Sequence, residues 1–91
     1  TAFLSCPDYV AAKGMRILAA PLKGDRQIIS GESGAVTLGS LFSILKDEYY
    51  EDLRKELKID KNSKILIFNT EGDTDPIKYK DIVWDGEYTS K

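Results

Sequence analysis

The sequence predicts an α/β fold in which two parallel strands are joined by helices, and three features carry that prediction. Ile28-Ile29-Ser30-Gly31-Glu32-Ser33-Gly34-Ala35 passes from β-branched residues through a glycine turn into helical apolar spacing over Val36 to Leu45. That is the pattern of a strand, a tight turn and a helix start. Lys64-Ile65-Leu66-Ile67-Phe68-Asn69 sets four apolar residues in succession, as strands covered on both faces of a parallel sheet do. Between and before these runs, apolar residues recur at three- and four-residue steps, the spacing of amphipathic helices. A helix, strand, helix, helix, strand order makes one crossover, which in a parallel sheet is right-handed.

The first helix is expected from about Pro7 to Ala19: Ser5 and Asp8 have the spacing of a capping box, and Val10, Ala11, Gly14, Ile17 and Leu18 repeat along one face. Pro21 ends it, and Lys23-Gly24-Asp25 turns the chain into a strand over Gln27 to Ser30. The second helix runs from Ser33 or Gly34 to about Leu45, with Leu38, Leu41, Phe42 and Leu45 as its buried stripe. Gly34, Ala35 and Gly39 form a small-residue line on another side. Glycine costs a helix about 1 kcal/mol against alanine, so the line marks close approach to a sheet, a ligand or another helix.

A third helix spans about Asp47 to Leu57, with Tyr50, Leu53 and Leu57 inward and Glu51 one turn before Lys55. Asp60 to Ser63 is a turn into the second strand. Thr70-Glu71-Gly72-Asp73-Thr74-Asp75-Pro76 is a polar loop after it, where Asp75 and Pro76 can cap and start a short helix through about Ile82. The aromatics of Trp84-Asp85-Gly86-Glu87-Tyr88 are expected to pack on a surface.

Composition narrows the function. The 91 residues make a single domain at most, and the formal charge of −2 with interspersed signs excludes a nucleic-acid face. One cysteine, Cys6, forms no internal disulfide, and the absence of histidine removes Cys/His and Ser/His catalysis and histidine-bearing zinc sites. A reduced, cytoplasmic setting is expected, with no membrane span or signal peptide in the visible sequence. Two parallel strands alone leave two long edges. Residues 1–91 therefore read as a single partial α/β domain, the C-terminal segment of a longer enzyme. Parallel strands also bring Gly31-Glu32-Ser33-Gly34 and Thr70-Glu71-Gly72-Asp73 to one sheet edge, where they converge on one ligand. Asp73 and Asp75 are explained by turn and cap formation, and no metal site is expected.

The Gly31-to-Ala35 turn, followed past two helices by a strand ending in a hydroxyl residue, resembles the C-terminal part of the tryptophan-synthase-β-like, fold type II pyridoxal-phosphate enzymes. Four longer runs are similar to the diaminopropionate ammonia-lyase branch of that family: Ser5 to Arg16, Ser30 to Gly39, Thr70 to Pro76 and Asp81 to Gly86. The resemblance covers nearly the whole chain. It implies a homodimeric enzyme that takes a small amino acid, eliminates ammonia from 2,3-diaminopropionate and leaves an aminoacrylate that hydrolyses to pyruvate and a second ammonia.

The implied cofactor is pyridoxal 5'-phosphate. Thr70 matches the hydroxyl residue that bonds the pyridine nitrogen, Glu32 the glutamate beside the ring, and Ser33 and Gly34 the backbone lining of the same pocket. Glu71 departs from many relatives, which carry glycine after the hydroxyl residue. The Schiff-base lysine and the phosphate loop find no counterpart in this sequence, so no catalytic residue is assigned and the segment alone is expected to be inactive. The competing reading is a non-catalytic binding module that keeps the fold without its chemistry.

Overall fold

The computed structural model describes residues 4–89, and its regular elements are helical. They are α1 (Asp8–Ala19), α2 (Glu32–Lys46), α3 (Glu51–Leu57) and α4 (Pro76–Val83), with a 3-10 turn over Glu48–Tyr50 leading into α3. Helix α1 starts one residue later than predicted. Its N-cap is Pro7, whose carbonyl accepts from Val10 N at 3.0 Å, and no side chain caps it, so Ser5 and Asp8 form no capping box. In α4 the predicted start holds: Asp75 accepts from Lys78 N at 3.0 Å with proline in the first turn.

The two predicted strands are not formed among the described residues. Gln27 to Ser30 and Lys64 to Asn69 carry no ladder and touch only near their ends, where Gly31 N donates to Glu71 O at 3.4 Å and the Asn69 amide reaches Ile29 O. A strand is defined by its neighbour, and two parallel segments without further partners gain too little from pairing to hold a ladder. The apolar run that predicts burial on both faces is exposed: Leu66 is 79% and Phe68 73% accessible. The accessible surface of the chain is 7090 Å², whereas a folded monomer of this mass exposes about 5,300 Å². Leu22, Ile77 and Trp84 are exposed as well.

The core sits between α1, α2 and α4. Ala12, Met15, Ala35 and Ile82 form it, with Leu18, Tyr79, Val83 and Tyr88 packed around. The buried side of α2 is Gly34, Ala35, Gly39 and Ile44, not the predicted Leu38, Leu41, Phe42 and Leu45 stripe; Leu45 is 44% exposed. Helix α1 explains the difference. A Cβ on Gly14 would run into the Ala35 carbonyl and one on Gly39 into the Val10 carbonyl, so the two helices meet backbone to backbone. The small-residue line is thus a helix–helix seam, and the predicted stripe is left half-buried at Leu38, Leu41 and Phe42 and exposed at Leu45.

Asp47 caps the 3-10 turn by accepting from Tyr49 N at 2.9 Å, which splits the predicted third helix. Arg54 then ties α3 to the end of α2 through the Ile44 and Asp47 carbonyls, and Glu51 pairs with Lys55 at 3.5 Å as expected. Tyr50 and Leu53 are half-buried, whereas Leu57 is exposed. At the other end, Arg16 donates to the Ile82 and Glu87 carbonyls and draws the tail onto α1. Tyr88, at φ 59°, packs on the core, while Trp84 is 82% exposed, so the two tail aromatics part ways. Among the described residues no helix is long and apolar enough to cross a membrane.

Candidate functional site

Helix α2 begins without a cap of its own. Its N-cap is Gly31, which has no side chain to accept from the first-turn N–H groups. The acceptor comes from the other loop: Glu71 Oε1 accepts from Ser33 N at 3.2 Å while the Glu71 carbonyl accepts from Gly31 N. A carboxylate in this position satisfies an orphan donor and favours the positive end of the helix dipole. Gly31 makes the approach possible, since a Cβ there would stand 2.5 Å from Glu71 Oε1 and 2.9 Å from the Gly72 carbonyl. Glu71, the departure from the family pattern, is thereby accounted for within this chain.

The two loops, joined in this way, enclose a cleft of about 160 Å³ with α4 as its third wall. Glu32 and Ser33 line it from α2, Glu71, Asp73 and Asp75 from the loop, and Lys78 and Tyr79 from α4. Of the four residues expected from the sequence, Glu32 and Ser33 line the cleft. Gly34 is buried beneath it, where a Cβ would meet Asn69 and Ser30, and Thr70 is exposed beside it, outside the lining. No hydrogen bond to Thr70 is made among the described residues.

Two cleft groups titrate away from their ordinary values. The Lys78 ammonium donates to the Tyr88 hydroxyl at 2.8 Å, which raises its pKa above the usual lysine value; partial desolvation opposes this, and Glu87 and Glu32 reinforce it. Tyr79 is raised by burial first and by Asp73 second. Lys78 also lies 4.6 Å from the Tyr88 ring centroid, a cation–π contact that steadies the same ammonium. Neither Lys78 nor Tyr79 is marked by the sequence motifs; their place on the short helix after the loop is the one available signal.

A larger cavity, about 420 Å³, lies between the start of α1 and the end of α2. Cys6, Tyr9, Phe42 and Tyr50 line it, Lys13 sits 4.9 Å over the Phe42 ring, and Cys6 Sγ is 3.1 Å from Ser40 Oγ. None of the residues expected to bind a ligand faces it.

No family model matches the chain. Curated relatives do. Diaminopropionate ammonia-lyase of Salmonella typhimurium is 49% identical over 85 residues, covering 92% of this chain and 21% of the relative. The enzyme of the same name from Escherichia coli K12 is 46% identical over 88 residues, covering 97% of this chain and 22% of the relative.

Solved structures agree with them. Holo diaminopropionate ammonia lyase from Escherichia coli superimposes with a TM-score of 0.86 at 45% identity, over 93% of this chain and 22% of that one. The same enzyme in complex with D-serine gives 0.85 at 45% identity, over 92% and 22%. In complex with an aminoacrylate-PLP azomethine reaction intermediate it gives 0.83 at 44% identity, over 90% and 21%. The matched proteins are ammonia-lyases, and this chain superimposes on about a fifth of their fold. It is a homologue of the diaminopropionate ammonia-lyases, spanning about a fifth of the length of the relatives it matches.

Proposed function

We propose that residues 1–91 are a single partial α/β domain, the C-terminal segment of a pyridoxal-phosphate-dependent diaminopropionate ammonia-lyase. In that reading the complete polypeptide converts 2,3-diaminopropionate to pyruvate and ammonia by β-elimination, acts in the cytoplasm as a homodimer and binds neither nucleic acid nor membrane. The observation that carries it is identity of 46–49% sustained over nearly the whole chain, with the two loops brought to one cleft.

The donor set supports the cofactor. The Thr70 hydroxyl is exposed at the loop junction, and Gly31 and Gly34 remove the side chains that would otherwise hold the loops apart. Pyridoxal phosphate, when bound, supplies the electron sink that makes loss of the β-amino group feasible. Thr70 is assigned to the pyridine nitrogen. A neutral hydroxyl does not stabilise a full positive charge on the ring as a carboxylate does, which tunes the site towards prompt elimination over chemistry needing a long-lived carbanion. Glu32 would position the ring and set the local field, and Ser33 would offer backbone to the same cleft, with Gly34 beneath it letting the turn pack against Asn69 and Ser30. The Schiff-base lysine, the phosphate loop and the substrate acids belong to the other four-fifths of such an enzyme, so the segment alone is inactive.

The test is pyruvate release from 2,3-diaminopropionate, with added pyridoxal phosphate, by the complete reading-frame product beside the 91-residue chain. Release by the complete product alone is expected. Release by neither would leave a binding module as the better account, and release by the short chain would overturn the assignment of the catalytic lysine to another part.

A further inference from the structure

Beneath the cleft lies a polar contact that the proposed chemistry leaves unused. Ser30 is fully buried, and its hydroxyl lies 2.8 Å from Asn69 Oδ1, to which it donates, and 3.1 Å from the Gly31 carbonyl. The same Asn69 oxygen accepts from Glu71 N at 3.4 Å, and Asn69 Nδ2 donates to Ile29 O at 3.4 Å. One orientation of the Asn69 amide satisfies its contacts with Ser30, Glu71 and Ile29 together. It joins the segment before the first loop to the residues on both sides of Thr70, whose own hydroxyl bonds none of the described residues. Gly34 closes over the contact: a Cβ there would stand 2.5 Å from Asn69 Oδ1 and 2.6 Å from Ser30 Oγ.

We propose that the buried Ser30 and the exposed Asn69 form a clip that sets the Thr70 hydroxyl relative to the Glu32 turn, and so act as positioning residues for the ring-nitrogen partner. The inference rests on the cofactor reading above. A hydroxyl on an exposed loop meets a ring nitrogen well only if its backbone is held within about half an ångström, and backbone bonds alone do not supply that here. Among the described residues the loop makes a single, long backbone hydrogen bond with its neighbour, Gly31 N to Glu71 O at 3.4 Å. The Asn69 amide brackets Thr70 from both directions, and it gives the fully buried Ser30 hydroxyl its partner across 39 residues, so that losing the contact would leave a buried donor unsatisfied.

The test uses the complete lyase polypeptide, freed of cofactor and titrated with pyridoxal phosphate, with the dissociation constant and the absorbance maximum of the bound cofactor as readouts. Ser30→Ala and Asn69→Ala are each made in the natural sequence and in a Thr70→Ala background. In the natural sequence each is expected to weaken pyridoxal phosphate binding about fivefold, the loss of one hydrogen bond, and to move the absorbance maximum. With Thr70 already removed, neither should weaken binding further, because the group being positioned is gone. Equal weakening in both backgrounds, or none in either, would overturn the clip. Ser30→Ala decides alone if Asn69→Ala does not fold. Absence of saturable pyridoxal phosphate binding by the unaltered polypeptide would instead overturn the cofactor reading, and the clip with it.

Discussion

Gly39→Ala sets two opposing quantities against each other at the α1–α2 seam. In an exposed helix the change is favourable by about 1 kcal/mol, because alanine loses less backbone entropy than glycine. Here the added Cβ falls 2.9 Å from the Val10 carbonyl carbon and 3.3 Å from Gly14 N, with the Val10 oxygen nearer still. Both contacts are backbone of a packed helix and cannot turn aside, so α1 and α2 must separate by about 1 Å to restore ordinary contact distances. Overpacking of that kind costs about 1–3 kcal/mol, and it also loosens Ala12, Met15 and Ala35 in the core the seam encloses. The net expectation is destabilisation of up to about 2 kcal/mol, towards the upper end because the contacts are rigid backbone.

Urea unfolding followed by far-ultraviolet circular dichroism reads this directly. With a slope of about 1–2 kcal/mol per molar for a chain this small, a loss near the upper end lowers the midpoint by about 1 M. Gly72→Ala is the control. It has open space around its Cβ position and no positive φ, so it should be neutral or slightly stabilising. A Gly39→Ala chain as stable as the unaltered one would refute the seam as the reason for the glycine.

Glu71→Ala removes the acceptor at the start of α2 and should lower stability by about 1 kcal/mol, seen as a drop in thermal midpoint; no drop would mean that solvent caps the helix equally well. Thr70→Ala in the complete polypeptide should weaken pyridoxal phosphate binding and slow pyruvate release about tenfold, and unchanged release would reject the ring-nitrogen role. Lys78 has a pKa raised in the folded chain, chiefly by its bond to Tyr88. The stabilisation is therefore fully present below the ordinary lysine value of 10.5 and is lost as pH rises through the higher folded value. A Lys78→Met chain should melt below the unaltered chain at pH 8, and the gap should close in strong alkali; a gap independent of pH would assign Lys78 a packing role only.

Local signals carried much of the helical framework. The three- and four-residue repeats place α1 and α2 to within one or two residues, and Asp75-Pro76 marks the start of α4 because a cap and a fixed φ act within one turn. What depends on distant chain was not legible. Ile65 to Phe68 has a strand's composition, but a ladder needs neighbours, and among the described residues it has none. The choice of buried face on α2 was likewise decided elsewhere, by Val10 and Gly14 on α1, and no periodicity within α2 reveals that a glycine seam outcompetes four larger apolar residues.

At the site, the Gly31-to-Gly34 turn and the Thr70 loop were recognisable as two pieces that meet. The Asn69 amide and Glu71 carboxylate that join them were not, since a polar residue at the end of an apolar run reads equally well as solvated loop.

Because the acceptor that completes the first turn of α2 arrives from residue 71, 38 positions along the chain, that turn cannot be finished by local folding. Contacts so distant in sequence form late, after the chain has closed the intervening loop. The Ser33 amide hydrogen should therefore exchange with solvent until the second loop docks and slow only afterwards, while amides in the middle of α2 are already protected. The start of this helix is in effect a clock for assembly of the cleft, and a nascent chain stalled before Glu71 would hold a helix without the cleft.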